Sequence, residues 1–358
     1  MGLEGLRLKQ MLHNRNMARL LLIVAALASF FLFSEQAFAQ LGSPSPVQFT
    51  VTPETPGPGA SVLIEVQGVG TFLGDATITW QVDGKTVKSG AGESSLSITA
   101  GAVGSKTVVK VTINSSSQGA ITKTFTIAPS TINMLWEADT SVPWWFKGKA
   151  LYTAGSNLKV TALPQVVVSG KTLPTTALSY QWKINDTPAP QSSGLGRNSI
   201  TFAGEQLLPS ETASVSAYYA GALVAAGSIT IPAVKPQALL YERDPLRGTL
   251  FDGALLNSVS LSATEVTLEA EPLYFANASI KNGSVPFAWT LNGDDASGPQ
   301  TAQGLLTLRQ SGSGVGRAQV GVALQNNETD KFVQSADTAL TILFGGATNS
   351  AFSSFFGL

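Results

Sequence analysis

Trp80-Gln81-Val82-Asp83-Gly84, Trp182-Lys183-Ile184-Asn185-Asp186 and Trp289-Thr290-Leu291-Asn292-Gly293 are one motif written three times in a chain of 358 residues. The copies lie 102 and 107 residues apart, a period of one small domain. Asp83-Gly84 and Asn292-Gly293 suit a tight turn that needs positive φ, which places each tryptophan on a strand just before a hairpin. Trp80, Trp182 and Trp289 are therefore expected to project inward as structural core.

Two further markers keep the same order. Leu135-Trp136-Glu137-Ala138-Asp139 and Leu240-Tyr241-Glu242-Arg243-Asp244 are 105 residues apart, and Phe146 and Phe251 follow at that same offset. Each unit closes on a β-rich run, at residues 124–127, 228–231 and 338–343. Between the markers the pattern has period two, as in Ser61-Val62-Leu63-Ile64-Glu65-Val66 and residues 106–113, 259–268 and 318–324. Short alternating strands, frequent turn signals and no helical periodicity predict an all-β chain of three two-sheet sandwiches. The expected boundaries are 46–129, 132–233 and 236–345, with a tail at 346–358. The joints Ala128-Pro129-Ser130-Thr131 and Pro232-Ala233-Val234-Lys235-Pro236 carry proline, which stiffens a linker and favours an extended rod.

Residues 1–39 form a separate block. Arg7, Lys9, Arg15 and Arg19 precede an uncharged apolar run at 20–33, and Ala37-Phe38-Ala39 follows. A basic segment, a short apolar segment and an A-x-A site read as a signal peptide cleaved near Gln40. The rival is an uncleaved anchor, for which about 14 apolar residues fall short of the roughly 20 that span a bilayer. The chain is expected to be exported to the periplasm, the cell surface or the extracellular space.

The sole histidine, His13, lies within that block, and cysteine is absent. The mature chain thus lacks the side chains for Ser/His/Asp and Cys/His nucleophilic sites, His or thiolate zinc sites and disulfides. Stability must come from hydrophobic cores. Removing the leader takes four of 22 cations and two of 23 acids, which leaves about −3. That balance argues against nucleic-acid or anionic-membrane partners.

The W-x-[VIL]-[DN] strand and turn, with the Pro/Gly-rich lead-in at residues 53–59, resembles bacterial immunoglobulin-like and polycystic-kidney-disease-type (PKD) surface repeats over residues 46–345. The paired cysteines of antibody domains are missing, and the aromatic and glycine-rich PKD turn is only partial. The resemblance implies immunoglobulin-like sandwiches used as a spacer, adhesin or ligand platform.

Four features are candidate sites. Pro143-Trp144-Trp145-Phe146 is the densest aromatic cluster, of a kind that stacks on sugar rings or anchors protein partners. At the 105-residue offset Trp145 and Phe146 match Leu250 and Phe251, which assigns them to a core or joint. Trp144 matches Thr249 and is left as the ligand candidate. Glu137 with Asp139, and Glu242 with Asp244, are weak calcium candidates at the unit joints, since calcium takes six to eight oxygens. No cofactor is otherwise expected. Asn114, Asn185, Asn277, Asn282 and Asn327 head N-x-[ST] triplets, which matter only in a glycosylating host. Finally, Phe352, Phe355, Phe356 and Leu358 make the tail apolar, suited to a partner, a sheet edge or a membrane surface, or to folding back on the third unit.

Three functions follow as expectations. The first is a non-catalytic structural or adhesive envelope protein, with a place in a secretion or pilus-like assembly. The second is a carbohydrate-binding module array. The third is a two-carboxylate glycan hydrolase, the one enzyme class that tolerates the missing histidine.

Overall fold

The computed structural model describes residues 47–345, apart from 69–72, 75, 117–118, 262–263 and 313. The expected leader at 1–39 and the tail at 346–358 lie outside the described residues. The described chain is nearly all β, arranged as paired sheets around three separate hydrophobic clusters.

In the first sandwich, β1 (Val47–Thr52), β2 (Ser61–Gly68) and β5 (Ser95–Thr99) form one sheet in the order β1-β2-β5. The other is β4-β3-β6-β7, from β3 (Thr77–Val82), β4 (Lys85–Ala91), β6 (Thr107–Ser115) and β7 (Gly119–Ile127). Alternation sends Val62, Ile64 and Val66 of β2, and Val109, Val111 and Ile113 of β6, into a common core around Trp80.

The second sandwich opens with β8 (Thr131–Ala138) and β9 (Asn157–Gln165), followed by a small hairpin, β10 (Val167–Val168) and β11 (Lys171–Thr172). Next come β12 (Ser179–Ile184), β13 (Thr187–Pro188), β14 (Gly194–Leu195), β15 (Ser199–Ala203), β16 (Ser210–Tyr219) and β17 (Ala222–Pro232). Its sheets are β15-β9-β8 and β13-β12-β16-β17, with β14 also on β12.

The third sandwich contains β18 (Gln237–Asp244), β19 (Gly248–Thr249), β20 (Asn257–Leu261), β21 (Glu265–Leu273) and a short helix α1 (Asn277–Lys281). It finishes with β22 (Phe287–Leu291), β23 (Asp294–Ala296), β24 (Leu305–Arg309), β25 (Gly316–Gln325) and β26 (Ser335–Phe344). The sheets are β19-β18-β21-β24 and β20-β26-β25-β22-β23. Only the β20–β26 pairing is parallel among the described strands.

Trp80, Trp182 and Trp289 sit on β3, β12 and β22, with 0, 1 and 2 % of their surface exposed. The residue three positions later explains the [DN] of the motif. Asp83, Asn185 and Asn292 all take positive φ, as do Gly84, Asp186 and Gly293 after them, so the turn has the twist that suits a two-residue hairpin. Each side-chain oxygen then accepts a bond of 2.9 Å from the backbone N–H of Val108, Thr212 or Gln319 on the neighbouring strand. Each turn N–H in turn donates to the carbonyl of that same neighbour, at 2.7–2.9 Å. The turn is thus clamped to β6, β16 or β25 at two points, and the tryptophan beside it is held in register.

Indole satisfaction differs between copies. Trp80 Nε1 donates to Glu93 O at 2.7 Å and Trp182 Nε1 to Arg197 O at 2.9 Å. Trp289 Nε1 is buried and finds no acceptor among the described residues.

Candidate functional site

The 18-residue loop between β8 and β9, residues 139–156, positions the aromatic cluster. Tyr152 anchors its returning limb. That ring is fully buried, and its hydroxyl donates to the carboxylate of Glu211 at 3.0 Å. Glu211, itself fully buried, also accepts from Asn185 Nδ2 and the Glu205 backbone N–H, both at 2.6 Å. Burial and then the Glu211 charge push the Tyr152 hydroxyl above the ordinary phenol range, so it remains a donor. Gly204 has to be glycine here, because a Cβ would lie 2.0 Å from the Tyr152 oxygen. On the same limb, Lys149 Nζ reaches back to β8 and lies 3.2 Å from the centre of the Trp136 ring.

The outgoing limb leaves the second sandwich and joins the third. Ser141 N–H donates to Phe275 O and Tyr274 N–H to Ser141 O, both at 2.7 Å. Ser141 Oγ donates to Pro272 O at 3.0 Å and accepts from Phe275 N–H at 3.1 Å. Thr140 and Ala276 form an antiparallel bridge. Close by, the Gln334 side chain accepts from Ala276 N–H at 3.0 Å and donates to Ala154 O at 2.9 Å and Ser156 Oγ at 3.1 Å. Gly155 packs so near Asp330 O that a Cβ would be 2.9 Å away.

So anchored, residues 143–146 lie on the outer face of the β18–β21 pair. Leu240 and Leu268 point into the core, which by alternation turns Tyr241 and Glu269, a directly opposed pair, to the outside. Trp145 covers that face, 5.7 Å edge-on from Tyr241 and 4.8 Å from Phe251, while Tyr241 and Phe251 are 5.3 Å apart. Phe146 meets Tyr274 at 6.4 Å. Trp144 stands outermost, edge to the Phe251 ring at 6.2 Å and 88 % exposed.

The surrounding groups are polar. Glu269 accepts from Arg243 at 2.8 Å and from Thr249 Oγ1. Glu271, opposite Leu239 on the same face, is half-buried; desolvation, reinforced by Glu269, raises its carboxyl to about 7. Burial and the nearby Glu271 also raise the Tyr241 hydroxyl.

Three of the four carboxylates named as calcium candidates, Glu137, Asp139 and Asp244, have protein partners among the described residues. Asp139 Oδ1 accepts from Asn277 Nδ2 at 2.8 Å, across to the third sandwich, and Glu137 lies 4.0 Å from Lys159. Asp244 caps a turn by accepting from Leu246 N–H and Arg247 N–H at 2.8 Å, bonds that hold its carboxyl below the usual range. The Glu242 backbone carbonyl accepts from Leu250 N–H. Among the described residues no three His, Cys, Asp or Glu side chains converge on a metal-sized site. Of the triplet asparagines, Asn185 is a turn clamp, Asn277 bonds Asp139 and Asn282 bonds Glu328. Phe352, Phe355, Phe356 and Leu358 lie outside the described residues.

Sequence reading missed the partners of the aromatic loop, Tyr241, Phe251 and Tyr274, and the buried Glu211. The repeat offset matches Trp145 with Leu250 and Phe146 with Phe251, and gives no sign that Trp145 touches Phe251. Glu211 carried no signal, being a single acid at the head of a strand.

No family model matches this chain, and no curated protein matches it. Solved structures resemble it weakly. The three N-terminal domains of the bacteriophage RB49 highly immunogenic outer capsid protein are 12 % identical, covering 83 % of this chain and 98 % of that one at a TM-score of 0.24. A central fibronectin-III array of RIM-binding protein is 14 % identical, covering 83 % and 96 % at 0.28. The Bacteroides ovatus glucan-utilization protein SGBP-B, in complex with a mixed-linkage heptasaccharide, is 10 % identical, covering 84 % and 71 % at 0.20. Similarity at this level says nothing of function. By its own sheet order and its three cores, the chain is a tandem array of immunoglobulin-like β-sandwiches.

Proposed function

We propose that this is an exported, non-catalytic envelope or cell-surface protein, in which residues 1–39 are a cleaved leader and the sandwiches at 46–129, 132–233 and 236–345 space and display a binding surface. Within the immunoglobulin-like class we place the three units with PKD-type surface repeats. The W-x-[VIL]-[DN] strand and turn supports that placement, and the Asp83, Asn185 and Asn292 clamps give that turn its physical reason. The display surface is the aromatic platform at the second joint.

One observation carries this reading. An indole 88 % exposed to water is retained on a braced stack of three other rings. Large rigid aromatic side chains clustered at a surface are suited to anchor a partner. A planar ring with one free face is also the shape that stacks on a pyranose, so a glycan is the second reading, with Trp144 as the stacking residue.

Two measurements test these readings. Protease shaving and fractionation of intact cells should find the chain outside the cytoplasm, and retention in the cytoplasm would end the export proposal. A glycan array probed with the mature chain and with Trp144→Ala should show binding that the substitution removes at least tenfold. Glycan binding unaffected by Trp144→Ala would exclude this platform as the sugar site, and release of sugar from any polysaccharide would overturn the non-catalytic assignment.

A further inference from the structure

At the far end of the third sandwich, β26 closes on Phe344 beside an open groove of about 300 Å³, whose apolar floor is rimmed by Arg309, Gln310, Ser311 and Arg317. Leu291, Leu308, Val315 and Phe344 form its apolar part, and Val315 is 71 % exposed. We propose that this groove is the seat of the chain's own residues 352–356, with Phe352 and the Phe355-Phe356 pair supplying the rings that fill it. Such a seat is independent of the Trp144 platform.

Three observations converge on that occupant. First, the chain leaves the sheet at the rim. Gly345 turns with φ +72° directly against the Gly314-Val315 backbone, where a Cβ would lie 2.9 Å from Gly314 O and 3.1 Å from Val315 Cα. Gly314 and Val315 both line the groove. A glycine is therefore required here both for its φ and for its missing side chain, and Gly345 lies against the groove wall.

Second, reach and size agree. Phe352 follows Gly345 by seven residues, an extended span of up to about 23 Å. A closed cavity of ~150 Å³ holds one benzene, so the groove has room for about two phenyl rings. Third, the segment is built for it. Residues 351–358 contain three phenylalanines and a leucine and no charged side chain. A tether this short gives an effective concentration on the order of millimolar, which favours the chain's own segment over that of a second copy at ordinary protein concentrations.

The absence of cysteine makes the test clean. In the mature full-length chain, Val315→Cys with Phe355→Cys should oxidise at low micromolar protein to an intramolecular disulfide, read by non-reducing gels and peptide mass spectrometry. The control pair Leu195→Cys with Phe355→Cys, placed on the exposed face of the second sandwich, should not. Crosslinked dimers instead of monomers would assign the segment to a second copy, and no crosslink would overturn the proposal.

A second measurement needs no substitution in the groove. Hydrogen–deuterium exchange at residues 314–318 and 341–344 should rise at least threefold in a chain ending at Gly345. Equal exchange in the two chains would likewise overturn the proposal.

Discussion

Glu271 is the residue whose chemistry responds most directly to its surroundings. Its carboxyl titrates near 7 in the fold, against an ordinary value near 4.5, because burial and Glu269 both oppose the charge. A raised folded pKa stabilises the fold most fully below the unfolded value and loses that contribution as pH climbs through the folded one. Stability of the third sandwich should therefore fall between pH 5 and pH 8. A tenfold change in a protonation equilibrium corresponds to about 1.4 kcal/mol, and partial solvent screening reduces the total to about 1–2 kcal/mol. Glu271→Gln should flatten this decline and raise the unfolding midpoint at pH 8, as followed by urea titration at several pH values. An unchanged slope would show that the carboxyl is better solvated than its burial implies.

The turn clamps belong to the same scale. Asn292→Ala removes the acceptor for Gln319 N–H and leaves alanine at φ +55°, a combined cost of about 2 kcal/mol. Asn292→Asp keeps an acceptor and should cost far less. Tryptophan fluorescence against denaturant would separate the two. The motif was legible in sequence as a turn because Asn-Gly and Asp-Gly are strong local signals. The clamp was not, since it depends on which strand lies alongside.

At the scale of elements, the loop between β8 and β9 does what its sequence only half discloses. Its length and aromatic content are visible, and the repeat offset singles out Trp144 among the three rings. That offset identifies equivalent positions, however, and it is blind to positions that meet. Trp145 is equivalent to Leu250 of the next unit, yet it stacks on Phe251. The consequence is a division of labour. Trp145→Ala strips a half-buried ring from Tyr241 and Phe251 and should cost about 2–3 kcal/mol, less than the loss of a fully buried tryptophan. Trp144→Ala should leave the stability within about 0.5 kcal/mol of the parent. Differential scanning calorimetry of both variants measures the contrast.

For the whole molecule, period and composition announced the all-β class and the repeat, because alternation and turn residues are local properties. The joints were less legible. Proline marked both linkers as stiff, but the structure adds contacts that no linker sequence encodes. The first joint has Ser130 Oγ on Val224 O at 2.7 Å and Ser130 N–H on Pro56 O at 3.1 Å. The second has the Ser141, Thr140–Ala276, Asn277 and Gln334 bonds together with the aromatic stack. Sandwiches two and three should therefore unfold in one calorimetric transition and the first in another. Ser141→Ala combined with Gln334→Ala should split the larger transition in two.

This unequal stapling has a consequence under mechanical load. If the array is pulled from its ends, tension crossing from the second sandwich to the third is shared between the covalent connection at 232–236 and the hydrogen-bonded strap of 139–156 running beside it. The first joint has no comparable parallel path among the described residues. Stretching should thus extend the molecule there first, leaving the second and third sandwiches, with the aromatic cluster between them, as one stiff unit under load.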